Sequence, residues 1–181
     1  MKQQKLPLDQ LAFLAICIAL SLVTKRVISP LTNILTDFIR IPGGGAATAF
    51  SLLFLLIGTA RLHWPWAATA GGFVQSLLAL ALGMSAYQGA FAVLTYTLPG
   101  VVIDLFRRFC PHRGKTYFAL CCAVANGLCA LLTNLLVFRL QGIAFVLWML
   151  VACLTGIFAG FLGGVLFHRL ERVFKSRRFA A

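Results

Sequence analysis

Six apolar runs alternate with short polar gaps along this chain. A helix crossing the hydrocarbon core of a bilayer needs roughly 20 mostly apolar residues. The first run, Leu11 to Thr24, reaches that length only if Leu8 and Val27–Ile28 count, with Lys25 and Arg26 snorkelling out to the headgroups. The second runs from about Ala46 to Ala60. From Trp64 to Ile103 there is no Asp, Glu, Lys, Arg or His, a stretch two spans long that the segment Gly83–Gly89 divides with a turn. The fifth run is Thr116 to Phe138, and the sixth, Leu140 to Phe167, is long enough to tilt. The pattern predicts an all-α integral membrane protein, one membrane domain over 1–181 with six transmembrane helices near 8–28, 46–60, 64–82, 88–106, 116–138 and 142–168. Lys2 and Lys5 resemble the start of a signal peptide, but no small-x-small cleavage site follows, so the first run is expected to stay as a helix.

Composition agrees. Hydrophobic residues make up 61% of the chain, and only Asp9, Asp37, Asp104 and Glu171 accompany sixteen Lys and Arg, too little polar chemistry to cover a water-soluble domain. Six spans put both termini on one side of the membrane. With that side cytoplasmic, the inner segments hold twelve of the sixteen basic residues, Lys2, Lys5, Arg61, Arg107, Arg108, Arg113, Lys115, Arg169, Arg172, Lys175, Arg177 and Arg178. The outer gaps hold Lys25, Arg26, Arg40 and Arg139. Such a bias orients a multi-pass protein. It accounts for the net charge of +12 as topology and attraction to anionic lipid, without nucleic acid.

Cys17, Cys121, Cys122, Cys129 and Cys153 fall inside runs, where cysteine acts as a small hydrophobe, and Cys110 has no C-x-x-C partner. His63, His112 and His168 lie at the inner face and suit an interface better than a metal. Neither a metal nor a cofactor is expected.

Helices meet in lipid through small residues. Gly156, Gly160 and Gly164 form a stripe on the last run, expected to pack within the monomer, and Gly71-Gly72 suits tight packing of the third. Ala12, Ala15 and Ala19 share a face of the first run, with Ala15-Ile-Cys-Ile-Ala19 a small-xxx-small pair. No internal repeat supports an inverted-repeat carrier.

The longest outer gap, Ser29 to Gly45, contains Asn33, Asp37 and Arg40 and ends in Ile41-Pro-Gly-Gly-Gly45. Its glycines, Gly43 and Gly44 among them, suit either a hinge with bare N–H groups facing a ligand or a plain re-entry into the second span. Tyr87, Gln88, Thr95, Tyr96, Thr133, Asn134, Arg139, Gln141 and Trp148 lie near the same side. Singly, the aromatics read as interfacial belt residues; as a set they read as a small-molecule pocket. Asp37 is the one carboxylate there against four cations, which favours a neutral or anionic ligand, heterocyclic enough to stack on aromatics. No acidic or histidine relay runs through the spans, and no G-x-x-x-x-G-K-[ST] sequence is present for ATP hydrolysis.

The whole chain resembles the substrate-binding S component of an energy-coupling factor (ECF) transporter. The resemblance rests on the six-run topology, the basic C-terminal tail, Ala15-Ile-Cys-Ile-Ala19, Ile41-Pro-Gly-Gly-Gly45 and Tyr96-Thr-Leu-Pro-Gly100 leading to Asp104. It implies an ECF S-component-like bundle in the bacterial cell membrane, with no enzymatic activity of its own. A vitamin or related micronutrient would be captured outside and delivered inward with a transmembrane T subunit and two ATPase subunits, the S component toppling to release it. Ala12, Ala15 and Ala19 would dock on the T subunit. Arg40, Gly43, Gly44, Tyr87, Gln88, Thr95, Asn134, Arg139 and Trp148 are the expected substrate-binding residues. Met1-Lys-Gln-Gln4 departs from the N-terminal histidine segment of nickel and cobalt relatives, which argues against a metal cargo. A solitary carrier without ATPase partners is the alternative. A membrane enzyme would need clustered Asp or His that four scattered acids do not supply, and a structural subunit would bind no ligand.

Overall fold

Large apolar side chains face outward along these helices while many small and polar ones face inward. Ile16, Val23, Leu31, Phe73, Leu120, Leu154 and Phe158 are exposed, whereas Ser21, Ser51, Gln75, Ser76, Thr95 and Asn126 are buried. The computed structural model describes residues 8–37, 44–60, 62, 64–84, 89–110 and 114–178. They form α1 (Leu8–Asp37), α2 (Gly44–Ala60), α3 (Ala67–Ala81), α4 (Phe91–Phe109), α5 (Lys115–Thr133), a π-helical segment (Asn134–Phe138) and α6 (Ile143–Arg178), with no strand among the described residues. Three helical stretches are long and apolar enough to cross a membrane: Leu8–Ile34, Lys115–Phe138 and Ile143–Arg172, with mean hydropathies of 2.1, 2.0 and 2.3. An apolar exterior on such helices is what lipid-facing surfaces require. α2 and α3 are apolar but shorter, at 17 and 15 residues, or about 25 and 22 Å. α4 carries Asp104, Arg107 and Arg108 toward its end.

The first run outlasts its expected end. α1 passes Lys25, Arg26 and Pro30 and continues to Asp37, so most of the gap expected as a loop from Ser29 is helical. One proline removes a single backbone donor and does not by itself end a helix whose neighbouring carbonyls find other partners. The carbonyl that loses its donor is that of Arg26, and α1 continues past it; the Thr32 hydroxyl donates to the carbonyls of Ile28 (3.1 Å) and Ser29 (3.0 Å). The turn after α3 falls where expected, flanked by Gly83 and Gly89 at φ +65° and +53°. Both sit in the left-handed region that favours glycine.

Helices pair in chain order, α1 with α2, α3 with α4 and α5 with α6, and α2 lies at the centre against all five others. Almost every side chain of α2 is buried, as befits a helix apolar all round. The closest approaches occur at glycine. A methyl group at Gly156 would lie 2.8 Å from Ala123 Cα, and one at Gly160 would lie 2.7 Å from Ala119 Cα, so the stripe on α6 packs on α5 inside the monomer. At the α3–α4 contact, a methyl at Gly72 would meet the Tyr96 carbonyl oxygen at 2.6 Å and one at Gly100 the Ala68 carbonyl carbon at 2.8 Å.

Asp104 closes the end of the bundle near the start of α3. Its buried carboxylate accepts the backbone N–H groups of Ala68 (3.2 Å) and Thr69 (2.8 Å) and the Thr69 hydroxyl (2.8 Å). It thus caps α3 from a different helix, in place of Trp66, whose side chain supplies no cap. Arg107 lies 3.8 Å from the same carboxylate and donates to the Leu62 carbonyl.

Gly160→Ala should push α5 and α6 apart and lower unfolding stability by about 1–3 kcal/mol. Gly114→Ala, where the nearest atom is the Thr116 hydroxyl at 3.6 Å, should be close to neutral. Thermal melts of the detergent-solubilised proteins compare the two; equal melting temperatures contradict the packing account.

Candidate functional site

All six helices converge on one polar cleft. Lys25 reaches in from α1, Thr48 and Ser51 from α2, Gln75 from α3, Thr95, Tyr96 and Pro99 from α4, Asn126, Cys129 and Thr133 from α5, and Trp148 from α6. The cleft lies toward the ends where α1 leads to α2, α3 to α4 and α5 to α6. That end is opposite the basic cluster of Arg107, Arg108, Lys115, Arg169 and Arg172. It has about 540 Å³ of empty space counting its open mouth, of which about 30 Å³ is clear enough to seat water, or roughly two molecules. Small-molecule sites usually offer about 300–1,000 Å³, so a larger occupant requires the helix ends to part.

The cleft walls are polar groups paired across helices. Gln75 Nε2 donates to Ser21 Oγ and Ser51 Oγ, both at 2.8 Å, and the two hydroxyls lie 2.7 Å apart, joining α1, α2 and α3. Asn126 Nδ2 donates to the carbonyls of Gly45 (3.1 Å) and Ala152 (2.8 Å), joining α5 to α2 and α6, while Asn126 Oδ1 is buried without a partner. Lys25 Nζ donates to the Tyr96 hydroxyl at 2.5 Å and stands 4.0 Å from the centre of that ring, joining α1 to α4. Trp148 Nε1 donates to the Ala130 carbonyl at 3.4 Å, and its ring meets Phe138 edge to face at 5.6 Å.

Comparison with protein-family models, curated proteins and solved structures yields no match.

Of the residues expected to bind substrate, Thr95 and Trp148 line the cleft. Arg40, Gly43, Tyr87 and Gln88 lie outside the described residues, and Gly44 begins α2 beside the lining residue Gly45. Two of the expected residues are not among those lining the cleft. Asn134 spends its amide on the backbone of Leu140, accepting its N–H at 2.8 Å and donating to its carbonyl at 3.3 Å. Arg139 ends the π-helical segment at φ +51°, exposed and off the cleft. Together they shape the turn before α6, because a π-helical segment leaves carbonyls that the chain must satisfy locally. Lys25 also differs: it turns into the cleft, where the Tyr96 ring and hydroxyl receive it, and does not snorkel outward.

Sequence reasoning missed Gln75 and Asn126. Each is a lone amide in an apolar run, and the rule that polar groups at membrane depth face partners or a cavity would have found both. A second, roomier groove, with about 850 Å³ of empty space counting its open mouth, lies at the other end, between α4 and the Pro65–Trp66 turn. Asp104 in its wall is already engaged in capping α3. The cleft is the better candidate because it draws on every helix and holds a cation and a bare acceptor.

Asn126→Ala should untie α5 from α2 and α6 and reduce stability by about 1–3 kcal/mol. Arg139→Ala should shift it by less than about 0.5 kcal/mol. Melting temperatures in one detergent test the ranking, and the reverse order would contradict these assignments.

Proposed function

We propose that this chain is the substrate-binding S component of an ECF transporter, a six-span protein of the bacterial plasma membrane with both termini in the cytoplasm. The observation that carries the reading is the cleft: a cation-bearing, aromatic-walled recess gathered from every helix at one end of the bundle. The basic residues collect at the other end, so the positive-inside bias turns the cleft outward. α2, α3 and α4 cross the membrane on this reading, the shorter ones with their flanking turns at the interface. The cargo is a neutral or anionic, heterocyclic micronutrient, and a T subunit with two ATPases provides the energy.

A further feature supports docking through α1. Ala12, Ala15 and Ala19 are exposed, while Leu14, Cys17, Ile18 and Ser21 on the same helix are buried against the bundle. The alanine face is left over after the monomer has packed, as a shallow surface for a partner helix requires.

Ala15→Trp and Ala19→Trp should leave binding of small molecules intact and abolish assembly with the T and ATPase subunits. Co-purification of the four-subunit complex is the readout; normal assembly of either variant refutes docking through this face. Orientation has its own test. Cys110, exposed at the end of α4, should react with a membrane-impermeant maleimide in inside-out vesicles and not in right-side-out ones, and the opposite result inverts the topology.

A further inference from the structure

Two groups in the cleft are left without the partners their chemistry demands. Asn126 is fully buried. Its amide orientation is set by Gly45 and Ala152, since both neighbours of Nδ2 are carbonyl oxygens and the flipped amide would aim oxygen at oxygen. The atom left over is therefore Oδ1, an acceptor with no donor in reach among the described residues. A buried acceptor without a donor is costly, and natural structures rarely keep one idle.

Lys25 is the second. An ammonium carries three N–H donors, and here one goes to the Tyr96 hydroxyl while the ring face takes part of the charge. No carboxylate is among the described residues that line the cleft. A cation at membrane depth ordinarily pairs with an anion or backbone carbonyls. Three aromatic residues, Tyr96, Phe138 and Trp148, line the same cleft.

We infer that the cleft selects a small planar organic anion bearing a hydrogen-bond donor, its negative group on Lys25 beside the Tyr96 hydroxyl and its donor on Asn126 Oδ1. This rests on the reading of the cleft as the cargo site and narrows it: a cation is repelled by Lys25, and a neutral ring leaves the ammonium unmatched. Entry of the anion loosens the Lys25–Tyr96 bond, the direct link between α1 and α4 across the cleft.

Three isosteric probes separate the two halves of the inference: pyrrole-2-carboxylate (anion and N–H), pyrrole-2-carboxamide (no charge) and furan-2-carboxylate (no ring N–H). Dissociation constants are read by titration against the full chain in nanodiscs, using saturation-transfer NMR. Pyrrole-2-carboxylate should bind at least tenfold tighter than either analogue. Lys25→Met should erase its advantage over the carboxamide, Lys25→Arg should keep it, and the preference over furan-2-carboxylate should survive in both. Equal affinity for acid and amide, or an unchanged constant in Lys25→Met, overturns the role of Lys25. Equal affinity for the pyrrole and furan acids overturns the role of Asn126 and leaves its oxygen to water. Binding of none of the three overturns the ligand class. None of these failures touches the importer reading, which is tested separately by co-purification of the unaltered chain with a T subunit and two ATPases.

Discussion

Close backbone approach is the constraint on which this bundle depends. In lipid, burying a leucine against another helix gains little over leaving it among acyl chains, so the helices need another reason to associate. Gly72 and Gly100 supply it between α3 and α4, and Gly156 and Gly160 between α5 and α6, each admitting a neighbouring backbone to where a side chain would stand. Large apolar residues such as Ile16, Val23, Phe73 and Leu154 can then stay on the exterior, while Leu55, Leu56, Ile103 and Phe118 share the interior with small and polar groups.

Within that interior several polar side chains hold helices together, while Thr59, Thr95 and Thr133 donate to carbonyls of their own helices. The Ser21–Ser51–Gln75 cluster ties α1, α2 and α3, Asp104 caps α3 from α4, and Asn126 ties α5 to α2 and α6. Such groups anchor register and orientation, because an amide or carboxylate finds its partners in one arrangement and loses them in neighbouring ones. Against that economy, the bare oxygen of Asn126 and the uncompensated ammonium of Lys25 stand out. They line the same cleft, where the proposed ligand would engage both.

Much of the fold was legible from residue order alone. The run from Thr116 to Phe138 matches α5 with its π-helical extension, Gly83 and Gly89 mark the turn between α3 and α4, and the glycine stripe packs internally. The site was legible only in part. Thr95 and Trp148, expected from polar and aromatic residues near helix ends, line the candidate cleft. Asn134 and Arg139 gave the same signal yet serve the turn before α6, since an amide that caps a backbone looks in sequence like one that binds a ligand. Ser29–Asp37 differs from expectation because a proline within a polar stretch reads as a break, whereas the loss of one backbone donor leaves α1 running on to Asp37.

Sequence by itself determined the helical class, the apolar runs and the segregation of basic residues, because hydropathy and charge act through composition and order along the chain. Only the tertiary structure decided which polar groups meet. Lys25 and Tyr96 are 71 positions apart, and Gln75 and Ser21 are 54. Their encounter depends on how deeply each glycine lets its helix sink against the next. Whether Lys25 points to lipid headgroups or into the cleft is a matter of rotation about one helix axis, and packing sets that rotation.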